Sequence, residues 1–425
     1  MAEKYQVPRG TQDIWGEDAG LWQQCEKIIR EECEIYGYHE IRTPIFEHTE
    51  VFKTENDSSD MVTKEMYTFV DNGERSLTLR PEGTKGVIRA FVEHKMYGNS
   101  ALFPQKLYYM GPMFRYERPQ KGRYRQFHQF GVEAIGVRNP MLDVEIIALG
   151  YRISRRLGIK SIKILVNSLG DKESRDAYRT ALKEYFEPYL GELCEDCKRR
   201  WEVNPLRILD CKVDKDKECF KHAPVMRDYL NEPSRKYFDE VLAGLDALNI
   251  PYEIDDKLVR GLDYYSNTVF EAVPVFDGGQ QATVFAGGQY DSLVEYYGGG
   301  DLPGAGFGMG LERIIALAQE EGGITKQAPS ADAYVICLGD AKGYALKLTQ
   351  ALRSAGIVTD TDYQGRSLKA QFKTTDRLNA KAILIIGEDE ANNNTAVIKN
   401  TITKTQETVG YDQAVEYVKS ILKGE

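Results

Sequence analysis

Long apolar runs are missing from this chain of 425 residues. No stretch approaches the roughly 20 apolar residues that a membrane span needs, so no membrane association is expected. The opening MAEKYQVPRGTQDI lacks a basic region followed by an apolar segment, and no secretory signal is read there. Cysteine is sparse: seven residues, an odd number, without a dense framework. That argues against a disulfide scaffold and fits a reducing cytoplasm. Histidine is scarcer still. His39, His48, His94, His128 and His222 contain no i, i+4 pair, so no HExxH-type metal site is expected. The dipeptide Gly-Lys never occurs, which excludes a P-loop. A surplus of basic charge is also absent. The net charge of −10 argues against a protein that coats DNA regardless of sequence, though local Lys/Arg clusters on an acidic protein still permit RNA.

What is present is an ordinary soluble composition, 42% hydrophobic and 28% charged, long enough for two or three domains and a sizeable core. The most informative stretch is Leu107–Glu133, LYYMGPMFRYERPQKGRYRQFHQFGVE. Its apolar opening reads as a strand, Gly111-Pro112 breaks the pattern, and Arg118–Arg125 is turn-rich. Alternation returns at Phe127, Phe130 and Val132, so the whole is a long β-hairpin whose loop carries Arg118, Lys121, Arg123 and Arg125 without an acid. Arginine presents a planar fork of donors that matches phosphate oxygens. Arg115 and Arg123 are therefore candidate phosphate ligands, and Phe127 offers a flat face for a base.

Arg115-Tyr116-Glu117-Arg118, Gly122-Arg123 and Phe127-His128-Gln129 together resemble motif 2 of class II aminoacyl-tRNA synthetases, in the form found in histidyl-tRNA synthetases. The resemblance runs through nearly the whole chain. A helix over 17–36, with Leu21, Trp22, Cys25, Ile28 and Ile29 at helical spacing, precedes a strand over Tyr38–Phe46 interrupted by Pro44. This is similar to motif 1, which implies a homodimer. Gly304–Arg313, a glycine-rich strand entering a helix, contains no Gly-x-Gly-x-x-Gly and is similar to motif 3, which implies that Arg313 contacts ATP. Leu258–Glu271 (LVRGLDYYSNTVFE) resembles the histidine-specific signature of the family, and 286–291 resembles the second such signature, with Gln289 where the family usually has Arg. Tyr290 remains in place.

The resemblance implies an α+β fold. Its catalytic core, over 1–170 and 251–322, is a class II antiparallel sheet, with a helical insertion at 171–250. A Gly/Pro-containing linker leads to a C-terminal α/β anticodon-binding domain at 331–425, where strands and helices alternate. The implied reaction joins histidine and ATP into histidyl-adenylate and then transfers the histidyl group to the 3′ end of tRNA(His). Arg115 and Arg260 are expected at the α-phosphate as the catalytic pair. Glu117, Arg123, Phe127 and Arg313 complete the ATP site, with Mg²⁺ bridging phosphates. Glu82, Thr84 and Gln129 are expected at the histidine amino group. Glu133 and Tyr265 are expected at the two ring nitrogens of the imidazole, and Arg260, Tyr264 and Tyr290 complete the expected histidine-binding set. Without the family, Thr84 reads equally well as a helix cap.

Two features stay apart from this pattern. Cys194-x-x-Cys197, Cys211 and Cys219 lie in the insertion; Asp210 and Asp214 flank the cysteines without completing a known zinc pattern, and free or buried thiols are the preferred reading, with no metal site expected. Lys369, Lys373 and Arg377 lie four apart on one helix face, suited either to solvent or to tRNA phosphates. Two other functions compete: a regulatory paralogue lacking the catalytic arginines and the C-terminal domain, and another synthetase of the same subgroup. Arg115, Arg260 and Arg313, about a hundred residues after the linker, and Leu258–Glu271 argue against both.

Overall fold

The computed structural model describes residues 5–53, 59, 61–98, 102–120, 122–260, 264–275 and 283–424. Lys121 and the Gly261-Leu262-Asp263 part of the histidine signature lie outside the described residues. The chain divides into two compact units, Met1–Ile14 with Leu21–Thr325, and Trp15–Gly20 with Lys326–Glu425. Among the described residues no helix is long and apolar enough to cross a membrane.

The first unit is built on an eight-stranded sheet. Across it the strands run His39–Glu40, Gln105–Phe114, Gln126–Ile135, Gly304–Gly310, Phe285–Tyr290, Ser266–Pro274, Ile162–Ser168 and Tyr252–Ile254. The first and last pairs are parallel and the rest antiparallel. Side chains alternate faces along a strand, and this decides where the site lies. On the return strand of the hairpin, Phe130, Val132 and Ala134 are buried in the main core with Leu21, Ile29, Ile147 and Ile314 from the helices Glu17–Ile35, Pro140–Arg156 and Leu311–Glu320. Ala305, Phe307 and Met309 do the same from the glycine-rich strand. Phe130 and Phe285 meet the Phe307 ring at 5.6 and 5.2 Å. The opposite face is left with Phe127, Gln129, Gly131 and Glu133, and with Gly304, Gly306 and Gly308.

The hairpin strand does not break at Gly111-Pro112, as its composition suggested. It continues from Gln105 to Phe114, with Gly111 opposite Gln129 and Pro112 opposite His128. The glycine is there for a neighbour: a Cβ at position 111 would meet Arg80 Nη2 at 2.6 Å. Arg80 Nε donates to the Pro112 carbonyl at 2.8 Å. The expected strand over Tyr38–Phe46 is instead two short strands, His39–Glu40 and Phe46–His48, in different sheets. Pro44 falls between them, where no ladder N–H is required.

The segment Lys172–Tyr229 is helical and builds its own core around Tyr178, Leu182, Phe186, Cys197, Ile208 and Phe220. The following helix, Glu232–Ala247, places Val241 and Leu245 in the main core. The second unit carries a five-stranded sheet in the order Thr359–Thr361, Ala333–Cys337, Ala382–Ile386, Thr395–Asn400, Gln406–Gly410. The first three are parallel and the last two antiparallel. Helix Leu368–Arg377 bears Lys369, Lys373 and Arg377, all exposed.

Candidate active site

The face opposite the helices holds a cavity of about 270 Å³. Its wall includes Glu82, Thr84, Arg115, Glu117, Arg123, Phe127, Gln129, Arg260, Tyr264, Tyr265 and Arg313. Ten of these come from three elements: the strand-to-helix junction before Thr84–Glu93, the long hairpin, and the segment leading into Ser266–Pro274. The eleventh, Arg313, sits on the first turn of the helix that follows the glycine strand. Glu133 and Tyr290, also expected in the site, do not line the cavity but lie beneath it, both almost completely buried.

One end of the cavity is cationic. Arg115 Nε donates to the Pro81 carbonyl at 2.8 Å, and its guanidinium lies 5.2 Å from the Phe127 ring centre. Arg313 donates to the carbonyls of Gly122 at 3.1 Å and Thr283 at 2.8 Å. Among the described residues neither is neutralised by a carboxylate; main-chain carbonyls fix both without cancelling their charge. Burial and the nearby Arg123 charge lower the Arg313 pKa. The loop itself carries no acid, but Arg123 is paired at 2.7 Å with Glu117, the residue that precedes the loop. Arg260 pairs with Glu271. Burial opposes the Arg260 charge, but Glu271 and the adjacent tyrosines more than offset it. Arg260 Nε is buried with no hydrogen-bond partner among the described residues.

The other end is a buried polar array. The Glu82 carboxylate accepts from the backbone N–H groups of Thr84 at 2.6 Å and Lys85 at 2.8 Å, at the start of the helix Thr84–Glu93. The cap therefore belongs to Glu82, not Thr84. Thr84 Oγ1 is free to donate to Glu133 Oε1 at 2.7 Å, and the Tyr290 hydroxyl donates to Glu133 Oε2, also at 2.7 Å. Burial pushes the Glu133 carboxyl up to about 8, against the two hydroxyl donors that favour its charge. Gln129 Nε2 donates to the Tyr109 hydroxyl at 3.2 Å, while Gln129 Oε1 is buried and has no partner among the described residues. The Tyr264 ring lies tilted against Tyr265, with centres 4.7 Å apart, and meets Tyr290 edge-on at 5.8 Å.

The glycines of the strand Gly304–Gly310 make this array sterically possible. A Cβ at Gly304 would lie 2.1 Å from the Tyr290 ring, one at Gly306 2.3 Å from Glu133 Oε2, and one at Gly308 2.0 Å from Gln129 Nε2. Bare backbone is the floor on which three site residues rest. Sequence reasoning missed two supporting acids. Glu271 holds Arg260 and also accepts from Thr283 Oγ1 at 2.8 Å. Glu312 lines the cavity and accepts from the His128 backbone N–H at 2.9 Å. The former ended a quoted motif and the latter adjoined Arg313, yet only their pairing reveals a task. Gln289 is buried, is not on the cavity wall, and donates from Nε2 to Asp291 at 3.0 Å. Arg138 supplies the guanidinium to that carboxylate, at 2.9 Å.

A large, mostly antiparallel sheet whose open face holds a cavity with arginines at one end and a buried polar array at the other is the core of a class II aminoacyl-tRNA synthetase. The comparisons carry this to the particular family. The histidyl-tRNA synthetase family matches residues 10–314 and the anticodon binding domain residues 332–421. The chain is 52% identical over 421 residues to the histidine–tRNA ligase of Geobacillus sp. (strain WCH70), covering 98% of this chain and 99% of that one. It is 50% identical over 423 residues to the histidine–tRNA ligase of Bacillus subtilis (strain 168), covering 99% and 100%. The apo histidyl-tRNA synthetase crystal structure from S. aureus superposes with a TM-score of 0.83 at 45% identity, covering 98% of this chain and 100% of that one. The chain belongs to the histidyl-tRNA synthetase family. It activates histidine with ATP to histidyl-adenylate and transfers the histidyl group to the 3′ end of tRNA.

Proposed function

We propose the following roles for the residues of the cavity. Arg115 and Arg260 flank the α-phosphate and stabilise the charge that develops as pyrophosphate leaves. Arg123 and Arg313 hold the β and γ phosphates, Glu117 positions Arg123, and Phe127 carries the adenine against the Arg115 guanidinium. ATP enters as its magnesium complex. Glu117 and Glu312 are the carboxylates on that wall, and oxygen donors suit Mg²⁺. Glu82, Thr84 and Gln129 receive the histidine amino group. Tyr264 and Tyr265 enclose the imidazole, and Glu133 and Tyr290 set the polarity beneath it.

The observation that carries this assignment is the orphaned Gln129 Oε1, a buried acceptor on a residue that lines the cavity together with Glu82 and the arginines. Leaving such an acceptor unmade costs about 1–3 kcal/mol, and an ammonium donor satisfies it. With the amine held there, the carboxylate reaches towards Arg115 and Arg260, where attack on the α-phosphorus takes place. Catalysis is then positioning plus electrostatics, with no covalent enzyme intermediate. Exposed Ile45, Phe46, Phe69 and Val70 support a homodimer that covers them, and Lys369, Lys373 and Arg377 are assigned to tRNA phosphates. The absence of a membrane-crossing helix among the described residues is compatible with cytoplasmic work. The test is pyrophosphate exchange into ATP with each of the twenty amino acids, without tRNA. Exchange with histidine alone is expected; exchange that persists at wild-type rate in Gln129→Ala would remove the amino-group assignment.

A further inference from the structure

The four cysteines read from the sequence as free or buried thiols are brought together selectively. Cys194, Cys197 and Cys211 converge, and the fourth member of the cluster is Asp214, not Cys219. One ligand atom from each of the four lies within 4.8 Å of every other. Cys194 Sγ and Cys211 Sγ are 3.7 Å apart. Cys211 Sγ and Asp214 Oδ2 are 3.8 Å apart. A tetrahedral zinc with Zn–S bonds of about 2.3 Å sets its sulfurs about 3.8 Å apart, with a carboxylate oxygen slightly closer. A disulfide needs sulfurs about 2 Å apart and would leave the third thiol without a partner. The geometry points to a structural zinc site held by Cys194, Cys197, Cys211 and Asp214.

The surroundings are built for it. Cys197, Cys211 and Asp214 are almost completely buried. Cys194 is the N-cap of helix Glu195–Val203 and Cys197 lies in its first turn, so one turn of helix sets the two sulfurs side by side. The Asp214 N–H donates to Cys211 Sγ at 3.3 Å, and the Cys194 N–H to Asp214 Oδ2 at 2.8 Å. Lys217 Nζ holds the other oxygen, Oδ1, at 2.7 Å and so aims Oδ2 at the sulfurs. A set of three thiolates and one carboxylate suits zinc and not Mg²⁺ or Ca²⁺. On binding, the three thiol protons pass to solvent and Zn²⁺ replaces them, with no change of oxidation state.

The site closes a loop of this small core. The loop includes the turn Pro205–Ile208, and Arg207 Nη1 from that turn donates to the Arg260 carbonyl at 3.2 Å. Zinc thereby fixes a support of the catalytic arginine from outside the cavity. No wall residue of the cavity is a ligand.

Metal analysis of the untagged, full-length protein, purified without chelator, is expected to find about one zinc per chain, as a closed structural site retains its metal. Replacement by Co²⁺ is expected to give the near-ultraviolet thiolate-to-cobalt bands of a tetrahedral site. Cys219→Ser should keep both signals, Cys211→Ser should lose them, and Asp214→Cys should keep zinc and strengthen the cobalt charge-transfer band. Should Cys211→Ser fail to fold, the cobalt spectra of wild type and Asp214→Cys decide. Reduced, folded wild type with less than about a tenth of a zinc per chain and no cobalt bands overturns the site, as does loss of zinc in Cys219→Ser.

Discussion

Glu133→Gln should change how stability depends on pH in a direction fixed by the surroundings of this carboxyl. Glu133 is buried and its pKa is raised from 4.5 to about 8, burial being the main cause. The folded protein therefore holds this proton more tightly than the unfolded chain does. Between those two pH values the native state carries a proton that the unfolded state has lost, so stability falls as pH rises. The contribution is complete below pH 4.5 and gone above about pH 8. At 1.36 kcal/mol per unit, the interval amounts to about 5 kcal/mol as a ceiling. Glutamine keeps the shape and stays neutral. Its amide can accept from one of the two hydroxyls that now donate to Glu133, Thr84 and Tyr290, and donate to the other.

Denaturant unfolding of the two proteins side by side, from pH 5 to pH 9, isolates this group because every other titration is shared. Wild type is expected to lose several kcal/mol relative to Glu133→Gln across that range, the variant being the more stable at pH 9. Parallel curves would refute the reasoning, because they would mean that Glu133 ionises without penalty. The same variant should raise the KM for histidine more than that for ATP, since the array it disturbs is the one proposed to receive histidine.

Arg260→Ala is expected to leave the fold intact, by circular dichroism, and to cut adenylate formation at least about a hundredfold, the scale of one lost electrostatic donor. Glu271→Gln should reproduce part of that loss by freeing the Arg260 guanidinium, visible in kcat for pyrophosphate exchange, and should also lower thermal stability, because the charge that offsets the burial of Arg260 is gone. Gly308→Ala drives a Cβ to within 2.0 Å of Gln129 Nε2, the end of a flexible side chain, so the protein should fold while histidine KM rises. A displacement of about 1 Å can cost a hundredfold in such a site, and an unchanged KM would show that Gln129 is not at the amino group.

How much was legible in the sequence depended on the kind of signal. The helix expected over 17–36 was readable because Leu21, Trp22, Cys25, Ile28 and Ile29 recur at helical spacing, and it forms over Glu17–Ile35. Gly111-Pro112 misled because composition predicts a break, whereas the glycine makes room for Arg80 and the proline is tolerated within the ladder. The site arginines were legible as motifs, since their types and spacings recur in one family. Their counter-charges were not. Nothing in the spacing of Glu271 from Arg260, eleven residues apart along the chain, states that the two side chains meet.

The same limit explains the cysteines. Spacing set Cys219 with Cys194, Cys197 and Cys211 and left Asp210 and Asp214 as flanking acids, because no known ligand pattern distinguishes the two carboxylates. The fold sets Asp214 there instead, since the turn after Cys211 folds back so that its N–H reaches the sulfur and its carboxylate reaches Cys194. A short-range pattern predicts a residue's secondary structure; a partner is set by whichever loop closes over it. Where partners carry the chemistry, as with Glu133 under Thr84 and Tyr290 or Asp214 among three thiols, the assignment rests on the fold and not on the motif.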